Sequence, residues 1–195
     1  LERLAECLES GVIKEVYGVP SSSDTAEKSV RLGIPLTELD SHPELDLTID
    51  GADEIDPCLN RIKGGGGALL REKVLAQASR RNVIVVDESK LSPHLGCRHT
   101  LPIEVTAFAV RSIEGYLLSL GAKVHKRRSR TGNLFLTDQE NHILDIDVGP
   151  ILDPASLSGK LEGRAGIVAH GLFLNLADEV IVGKDNRVQH LRQSV

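Results

Sequence analysis

The hydrophobic residues in the first half of the chain alternate between helical spacing and continuous runs. Leucine and alanine at positions 1, 4, 5 and 8 recur at intervals of three and four, which predicts a helix that ends near Gly11. The stretch SDTAEKSVRLG (23–33) has the pattern of a capped helix closed by Gly33. A third helix is predicted in ALLREKVLAQASRR (68–81).

Three segments between these helices have the pattern of strands. They are IKEVYGVPSSS (13–23), a short strand entering a serine-rich loop, DLTID (46–50), a buried strand, and NVIVVD (82–87), a buried parallel strand. Strand, loop and helix alternate, which is typical of an α/β fold with a Rossmann-like, mostly parallel open sheet. Ligands of such sheets bind beyond the carboxyl ends of the strands, where Asp50 and Asp87 both fall.

The pattern changes after LPIEV (101–105) into what we expect to be a small inserted α+β domain. The segments that follow predict a helix, two strands and a helix, in AFAVRSIEGYLLSLG (107–121), KVHKRRS (123–129), LFLTDQENHILDIDV (134–148) and DPASLSGKLEG (153–163). Residues 166–183 then have the pattern of a helix leading into a buried strand of the main sheet. The predicted domains are a catalytic domain (1–102 and 166–195) and a lid (103–165).

The composition excludes several classes of protein. With 41% hydrophobic and 26% charged residues among 195, the chain is ordinary for a globular protein. Its net charge of −5 argues against a nucleic-acid or anionic-membrane partner, and no apolar run is long enough to span a membrane. The three cysteines include no CxxC pair, so we expect neither a metal site nor disulfides, and a reducing, cytoplasmic environment fits best.

Lys63 precedes four consecutive glycines that open directly into the predicted helix at 68–81. Glycines remove every Cβ, so backbone N–H groups can approach an anion, and a helix N-terminus favours negative charge. The spacing matches neither the Walker A loop nor GxGxxG. A flexible turn is the alternative interpretation, but the lysine, the helix and the adjacent acids favour an anion-binding loop.

Four acidic residues stand within seven positions ahead of the glycines: Asp50, Asp53, Glu54 and Asp56. Only small residues separate Asp50 from Asp53, and like charges held this close repel, which favours proton transfer unless a cation such as Lys63 intervenes. A calcium loop is disfavoured because the EF-hand offsets are absent. A solvated acidic turn is the alternative, and Asp56, which precedes a proline, fits such a turn.

Other charged residues carry weaker signals. Glu72 lies within the first two turns of the helix after the glycines, between two basic residues, and alone would be interpreted as a salt-bridged surface glutamate. The stretch HKRRSR (125–130) is typical of a solvated basic strand or hairpin edge more than of a phosphate site. The seven histidines are scattered without an i,i+4 pair, so we do not expect them to be ligands.

Five segments together resemble ribose-5-phosphate isomerase of the A type: DLTIDGADEID, KGGGGALLREK, VVDESK, LPIEV and GLFLNLADEVIVG. They span nearly the whole chain in order. The resemblance implies interconversion of D-ribose 5-phosphate and D-ribulose 5-phosphate through a cis-enediolate, in the pentose phosphate pathway and without a metal or organic cofactor. It also implies a Rossmann-like domain with a ferredoxin-like lid, in homodimers or homotetramers.

The same resemblance implies roles for individual residues. Glu72 would be the base that moves a proton between C2 and C1 of the open-chain sugar. Asp50, with Asp53 beside it, would serve ring opening and hydroxyl proton transfer, and Lys63 would stabilise the developing oxyanion and hold substrate. Further substrate and phosphate contacts would come from Gly64, Gly65, Gly66, Lys90, Ser21 and Ser22.

Two other classes of protein remain alternatives. A sensor domain on a related fold would bind a sugar phosphate without turnover and would not need a base at Glu72. An acyl-CoA transferase would use a glutamate nucleophile and form a covalent intermediate. The resembled family also has a Gly-Thr-Gly-Ser-Thr phosphate loop after its first strand, which is absent here. We therefore expect either a piece of a longer chain, which the lack of an initial methionine favours, or a defective relative of the family. If the preceding segment held a transit peptide, the plastid stroma would be the location.

Overall fold

The structure is a computed structural model that describes residues 1–185 and 187–192, so part of the predicted range 166–195 lies outside the described residues. The helices are α1 (Glu2–Glu9), α2 (Ser23–Arg31), α3 (Leu69–Ala78), α4 (Val110–Ser119) and α5 (Pro154–Glu162). The strands are β1 (Thr48–Asp50), β2 (Glu54–Ile55), β3 (Arg61–Ile62), β4 (Asn82–Asp87), β5 (Leu101–Val105), β6 (Lys123–Lys126), β7 (His142–Asp147), β8 (Ile167–His170), β9 (Leu172–Phe173), β10 (Glu179–Lys184) and β11 (Arg187–Leu191).

The main sheet has the strand order β1-β4-β10-β11. Strand β4 is parallel to both β1 and β10, and only β11 is antiparallel to its neighbour. Apolar side chains of β4 and β10, among them Ile84 and Val182, form one buried cluster. The predicted α/β fold with a mostly parallel sheet is therefore confirmed, and β4 is parallel as predicted but only partly buried, because Val85 is 48% exposed.

The second unit is an antiparallel sheet with the order β6-β7-β5-β8. In chain order its elements are β5, α4, β6, β7, α5 and β8, which is the βαββαβ arrangement of a ferredoxin-like fold. Residues of the sheet and of both helices, such as Ile103, Ile113 and Leu161, share a single buried cluster. This confirms the predicted ferredoxin-like unit, while the exact domain division remains a prediction.

A small third sheet, β2-β3-β9, lies where Lys63 leaves β3. Strand β3 pairs antiparallel with β2 and with β9, and the Lys63 N–H donates to the Gly171 carbonyl at 3.0 Å. A Cβ at Gly171 would stand 2.4 Å from the Lys63 carbonyl oxygen, so only glycine permits this close approach. The backbone of Lys63 is thus held in place by its hydrogen bond to Gly171 and by the strand before it, β3, which is paired on both sides.

One strand prediction is wrong and another is correct only in part. Residues 13–23 contain no strand and form a single bridge between Gly18 and Leu36. Proline lacks an N–H, so Pro20 and Pro35 prevent a longer ladder there. In 134–148 only residues from His142 onward form a strand, because the preceding residues carry turns.

Two further expectations are corrected by the tertiary structure. The strand that ends at Asp50 was expected to be buried, but β1 is an edge strand and Ile49 is 67% exposed. The helix predicted at the start of 166–183 is absent, because β8 pairs with β5 and β9 pairs with β3. Short apolar runs do not distinguish helix from strand by periodicity, and long-range pairing decides between them.

Candidate active site

Lys63 stands at the centre of a cluster built from three parts of the chain. Its side chain is only 5% exposed, and its Nζ lies 2.9 Å from Asp50 Oδ2 and 3.5 Å from Glu72 Oε2. It also donates a hydrogen bond to the Gly51 carbonyl at 2.8 Å. Asp50 ends β1 and Glu72 lies in the first turn of α3, so the fold brings these predicted residues to one ammonium group.

Asp53 joins the cluster through the glycine run. Its Oδ2 accepts a hydrogen bond from the Gly65 N–H at 2.8 Å, and its own N–H donates to the Ile62 carbonyl at 2.9 Å. Asp53 also contributes, weakly, to the electrostatic field at Glu72. The two acids that the sequence pairs therefore have different partners, Lys63 for Asp50 and a glycine amide for Asp53.

The carboxylate of Glu72 is largely buried beside Lys63. Burial raises the pKa of Glu72 above its usual value, the Lys63 ammonium opposes this rise, and the charges of Asp50 and Asp53 add to it. Its Oε2 is buried and, within residues 1–185 and 187–192, faces the Lys63 ammonium at 3.5 Å without a hydrogen bond of normal geometry. A carboxylate with a raised pKa and an unused lone pair is suited to general base and acid chemistry.

The glycine run exposes its backbone in the middle and is tightly packed at its ends. Gly64 and Gly67 have φ angles of +102° and +91°, and a Cβ would stand 2.8 Å from Leu69 Cβ at Gly64 and 2.5 Å from the Phe135 ring at Gly67. Gly65 and Gly66 are exposed, and a Cβ at Gly66 would meet nothing within 4 Å. A ligand can therefore reach the backbone at the centre of the run.

The other predicted binding residues do not contact the Lys63 cluster. Lys90 ends a 3-10 turn that follows β4, next to the charge of Asp87. The Ser22 hydroxyl caps α2 by accepting a hydrogen bond from the Thr25 N–H at 3.1 Å, and Ser21 is half-buried beside it. Their predicted contacts with a phosphate stay predictions.

Sequence reasoning did not single out Phe173, a fully buried ring surrounded by cations. Lys63 Nζ, Lys73 Nζ and Arg61 Cζ lie 5.8, 5.0 and 5.7 Å from its centroid. Burial lowers the pKa of Lys73 to about 8, opposed by the charge of Glu162, and that of Arg61 to about 10, opposed by Asp50 and Asp178. The segment GLFLNLADEVIVG contains this ring, but no spacing rule links it to Lys63.

The sequence-based interpretation of HKRRSR holds for some residues and is wrong for one. Arg128 and Arg130 are exposed, as expected for a solvated edge. Arg127 instead has a side chain only 15% exposed and contacts the carbonyl oxygens of Gly64 and Gly65. The expectation for Asp56 is correct, because its carboxylate accepts hydrogen bonds from the N–H and the side-chain amide of Asn60 within a turn.

Within residues 1–185 and 187–192, no group of three or more histidine, cysteine, aspartate or glutamate side chains is placed to hold a metal ion. In the same residues no helix is long and apolar enough to cross a membrane. A buried carboxylate with a raised pKa, a lysine paired with it and an open glycine loop lie together beside an α/β sheet. These features define a class of α/β domain that binds an anionic ligand and can move a proton on it.

Comparisons with known proteins identify the family within this class. The model of ribose 5-phosphate isomerase A (phosphoriboisomerase A) matches residues 17–187. The ribose-5-phosphate isomerase A of Chloroflexus aurantiacus is 52% identical over 191 residues, which cover 98% of this chain and 80% of that protein. The chain therefore belongs to the ribose 5-phosphate isomerase A family.

Solved structures agree with this assignment. The ribose 5-phosphate isomerase of Plasmodium falciparum superposes with a TM-score of 0.95 and 39% identity, covering all of this chain and 85% of that one. A D-ribose-5-phosphate isomerase in complex with phospho-erythronic acid has a TM-score of 0.95 and 35% identity, covering 98% of this chain and 84% of that one. The fold and the family are thus supported independently of the site geometry.

Proposed function

We propose that this protein interconverts D-ribose 5-phosphate and D-ribulose 5-phosphate as part of the pentose phosphate pathway. The observation that carries the proposal is the Glu72 carboxylate, which has a raised pKa and lies 3.5 Å from the Lys63 ammonium. An α-hydroxy aldehyde isomerises when one base moves a proton between adjacent carbons while a fixed positive charge stabilises the enediolate oxygen. Membership of the isomerase family supports the same reaction.

In the proposed mechanism Glu72 removes the proton from C2 of the open-chain aldose and leaves a cis-enediolate. The protonated Glu72, which exchanges part of its protons with solvent while the enediolate lasts, then delivers a proton to C1, which produces the ketose and restores the carboxylate. Asp50 moves the hydroxyl proton between the two oxygens and assists ring opening, with Asp53 beside it. Lys63 stabilises the negative oxygen as it develops, at the place where it already neutralises Asp50 at 2.9 Å.

The binding part of the proposal involves the residues around this centre. The backbone of Gly64, Gly65 and Gly66 holds substrate oxygens, and Lys90 with the loop of Ser21 and Ser22 reaches the phosphate. The lid proposed for 103–165 covers the site and excludes water from the enediolate. We further propose a cytoplasmic homodimer or homotetramer that needs no cofactor.

A sugar-phosphate sensor on a related fold would bind the same ligand without turnover. The comparisons do not support this alternative, because the relatives that match are named as isomerases. A sensor would also have no use for a carboxylate that is largely buried and accepts no hydrogen bond on Oε2, as at Glu72.

Proton NMR of D-ribose 5-phosphate in D₂O with excess EDTA tests the proposal. We expect ketose formation with deuterium entering at the isomerised carbon, and loss of both in Glu72→Gln. Added phospho-erythronic acid should inhibit the wild-type reaction, since a relative binds it. Binding of the sugar phosphate without ketose formation or exchange would contradict the isomerase and support the sensor.

A further inference from the structure

Arg127 connects the ferredoxin-like unit to the glycine loop of the candidate active site. Its Nε and Nη2 donate to the two carboxylate oxygens of Asp145 at 2.9 and 2.5 Å. Its Nη1 donates to the carbonyl oxygens of Gly64 and Gly65 at 2.8 and 3.0 Å. A bidentate pair of this kind fixes the plane of the guanidinium, so the two remaining bonds hold the loop in a defined orientation.

These two carbonyl contacts determine where the next amides point. In a planar trans peptide the C=O and the following N–H point in opposite directions. The Gly64 carbonyl faces Arg127, and the Gly65 N–H accordingly points the other way and donates to Asp53 Oδ2 at 2.8 Å. The Gly65 carbonyl also faces Arg127, so the Gly66 N–H is directed away from it.

The Gly66 N–H is an open donor. Within residues 1–185 and 187–192 it has no acceptor, and a Cβ at Gly66 would meet nothing within 4 Å. By contrast, the N–H groups of Gly65 and Gly67 are occupied, by Asp53 and by the Gly64 carbonyl. Of the two exposed glycines of the run, Gly65 and Gly66, the one whose N–H is available within the described residues is therefore Gly66, and Arg127 sets its direction.

A second contact from the same unit holds the end of the loop. The Phe135 ring lies 5.8 Å from the Arg127 guanidinium and packs against Gly67, where a Cβ would stand 2.5 Å from the ring. Consecutive glycines lose more backbone freedom on ordering than other residues do. Contacts that order them before substrate arrives reduce the entropy lost on binding.

We propose that Arg127, oriented by Asp145, is a positioning residue that aims the Gly66 N–H at an anionic oxygen of the substrate. Arg127 does not touch the reacting atoms and acts through the peptide groups of Gly64 and Gly65. The inference rests on the proposed isomerase function. It explains why one arginine of a basic stretch is largely buried while its neighbour Arg128 is exposed.

Steady-state kinetics of Arg127→Met, Arg127→Lys and Arg128→Met test the proposal. Arg128 is the matched control, because it donates only to the Gly132 carbonyl at the surface. We expect Arg127→Met to lower kcat/KM about 10- to 100-fold with a clear rise in KM, since a misdirected donor binds the substrate anion poorly. Arg127→Lys should recover part of this loss because it can reach one carbonyl, and Arg128→Met should stay within about twofold of wild type.

A readout that does not depend on turnover separates this inference from the proposed function. In protein labelled with ¹⁵N-glycine, Arg127→Met should accelerate hydrogen exchange of the Gly65 amide about tenfold or more, while other amides remain protected as in Arg128→Met. The role of Arg127 would be overturned if Arg127→Met left the hydrogen exchange of the Gly65 amide unchanged. It would also be overturned if Arg127→Met and Arg128→Met had equal kcat/KM. A wild-type protein without isomerase activity would count against the proposed function, and the exchange experiment would still decide on Arg127.

Discussion

Glu54 and Glu72 lie eighteen positions apart in the sequence, and their carboxylates have opposite surroundings. Glu54 is fully buried and accepts hydrogen bonds from four consecutive backbone N–H groups, those of residues 96–99, at 2.9 to 3.3 Å. Glu72 accepts none on Oε2 and faces Lys63 at 3.5 Å. A carboxylate saturated by amides stabilises a loop, whereas one with an unused lone pair beside a cation remains available for a proton.

The largest expected effect is on turnover in Glu72→Gln. We expect kcat to fall by several orders of magnitude because the amide cannot accept the C2 proton, a general base alone contributing about 10²–10⁴-fold. Binding of D-ribose 5-phosphate, measured by calorimetry, should change little. Wild-type turnover in this variant would mean that another group is the base.

Lys63→Ala should have the next largest effect. The change removes the charge that neutralises Asp50 and Glu72, so we expect KM to rise and kcat to fall, together by about 10²–10³-fold in kcat/KM. Without Lys63 the pKa of Glu72 should rise further, because the ammonium is the main influence that opposes burial. The acid limb of the kcat/KM profile should therefore shift to higher pH, and a rise in KM alone would restrict Lys63 to binding.

Glu54→Gln should reverse the pattern of Glu72→Gln. A glutamine offers one acceptor oxygen to four N–H donors and turns its own amide toward them, so we expect a loss of about 3 kcal/mol in the free energy of unfolding. Urea denaturation measures this loss. Turnover of the folded fraction should stay within a few-fold of wild type, and a loss comparable to that of Glu72→Gln would contradict the structural role.

The smallest effect is the pH dependence of stability. The pKa of Glu72 is higher in the folded protein than in the unfolded chain, so its protonation stabilises the fold at low pH and this contribution is lost as pH rises through the folded pKa. The variant Glu72→Gln has no ionisable group at this position, so its stability does not decrease with pH for this reason. The stability of the variant relative to wild type should therefore increase with pH, which thermal unfolding between pH 4 and 8 can measure, and a constant difference would contradict the raised pKa.

Much of the molecule follows from local sequence. Continuous apolar residues at 83–86 are enough to predict β4 as a parallel strand, although Val85 is exposed on one face of the sheet. The cap at Ser22 and the closing Gly33 delimit α2 by backbone chemistry alone. Glycines after Lys63 predict an approachable backbone, because they carry no side chain of their own, and this is correct for Gly65 and Gly66 but not for the buried Gly64 and Gly67.

Contacts between distant segments of the chain decided the features that local sequence did not predict. Strands β8 and β9 form because β5 and β3 pair with them. Ile49, like Val85 on the adjacent internal strand, is exposed because its side of the sheet is left uncovered there by the described residues. Local sequence also cannot tell Arg127 from Arg128, because both stand in one basic stretch, and the basic neighbours of Glu72 favour a surface salt bridge, not the buried position that it has. The sequence by itself determines which residues can carry charge or exchange a proton. The burial, the neighbouring charges and the hydrogen-bond partners of these residues come from distant segments. Their electrostatic roles are therefore decided by the tertiary structure.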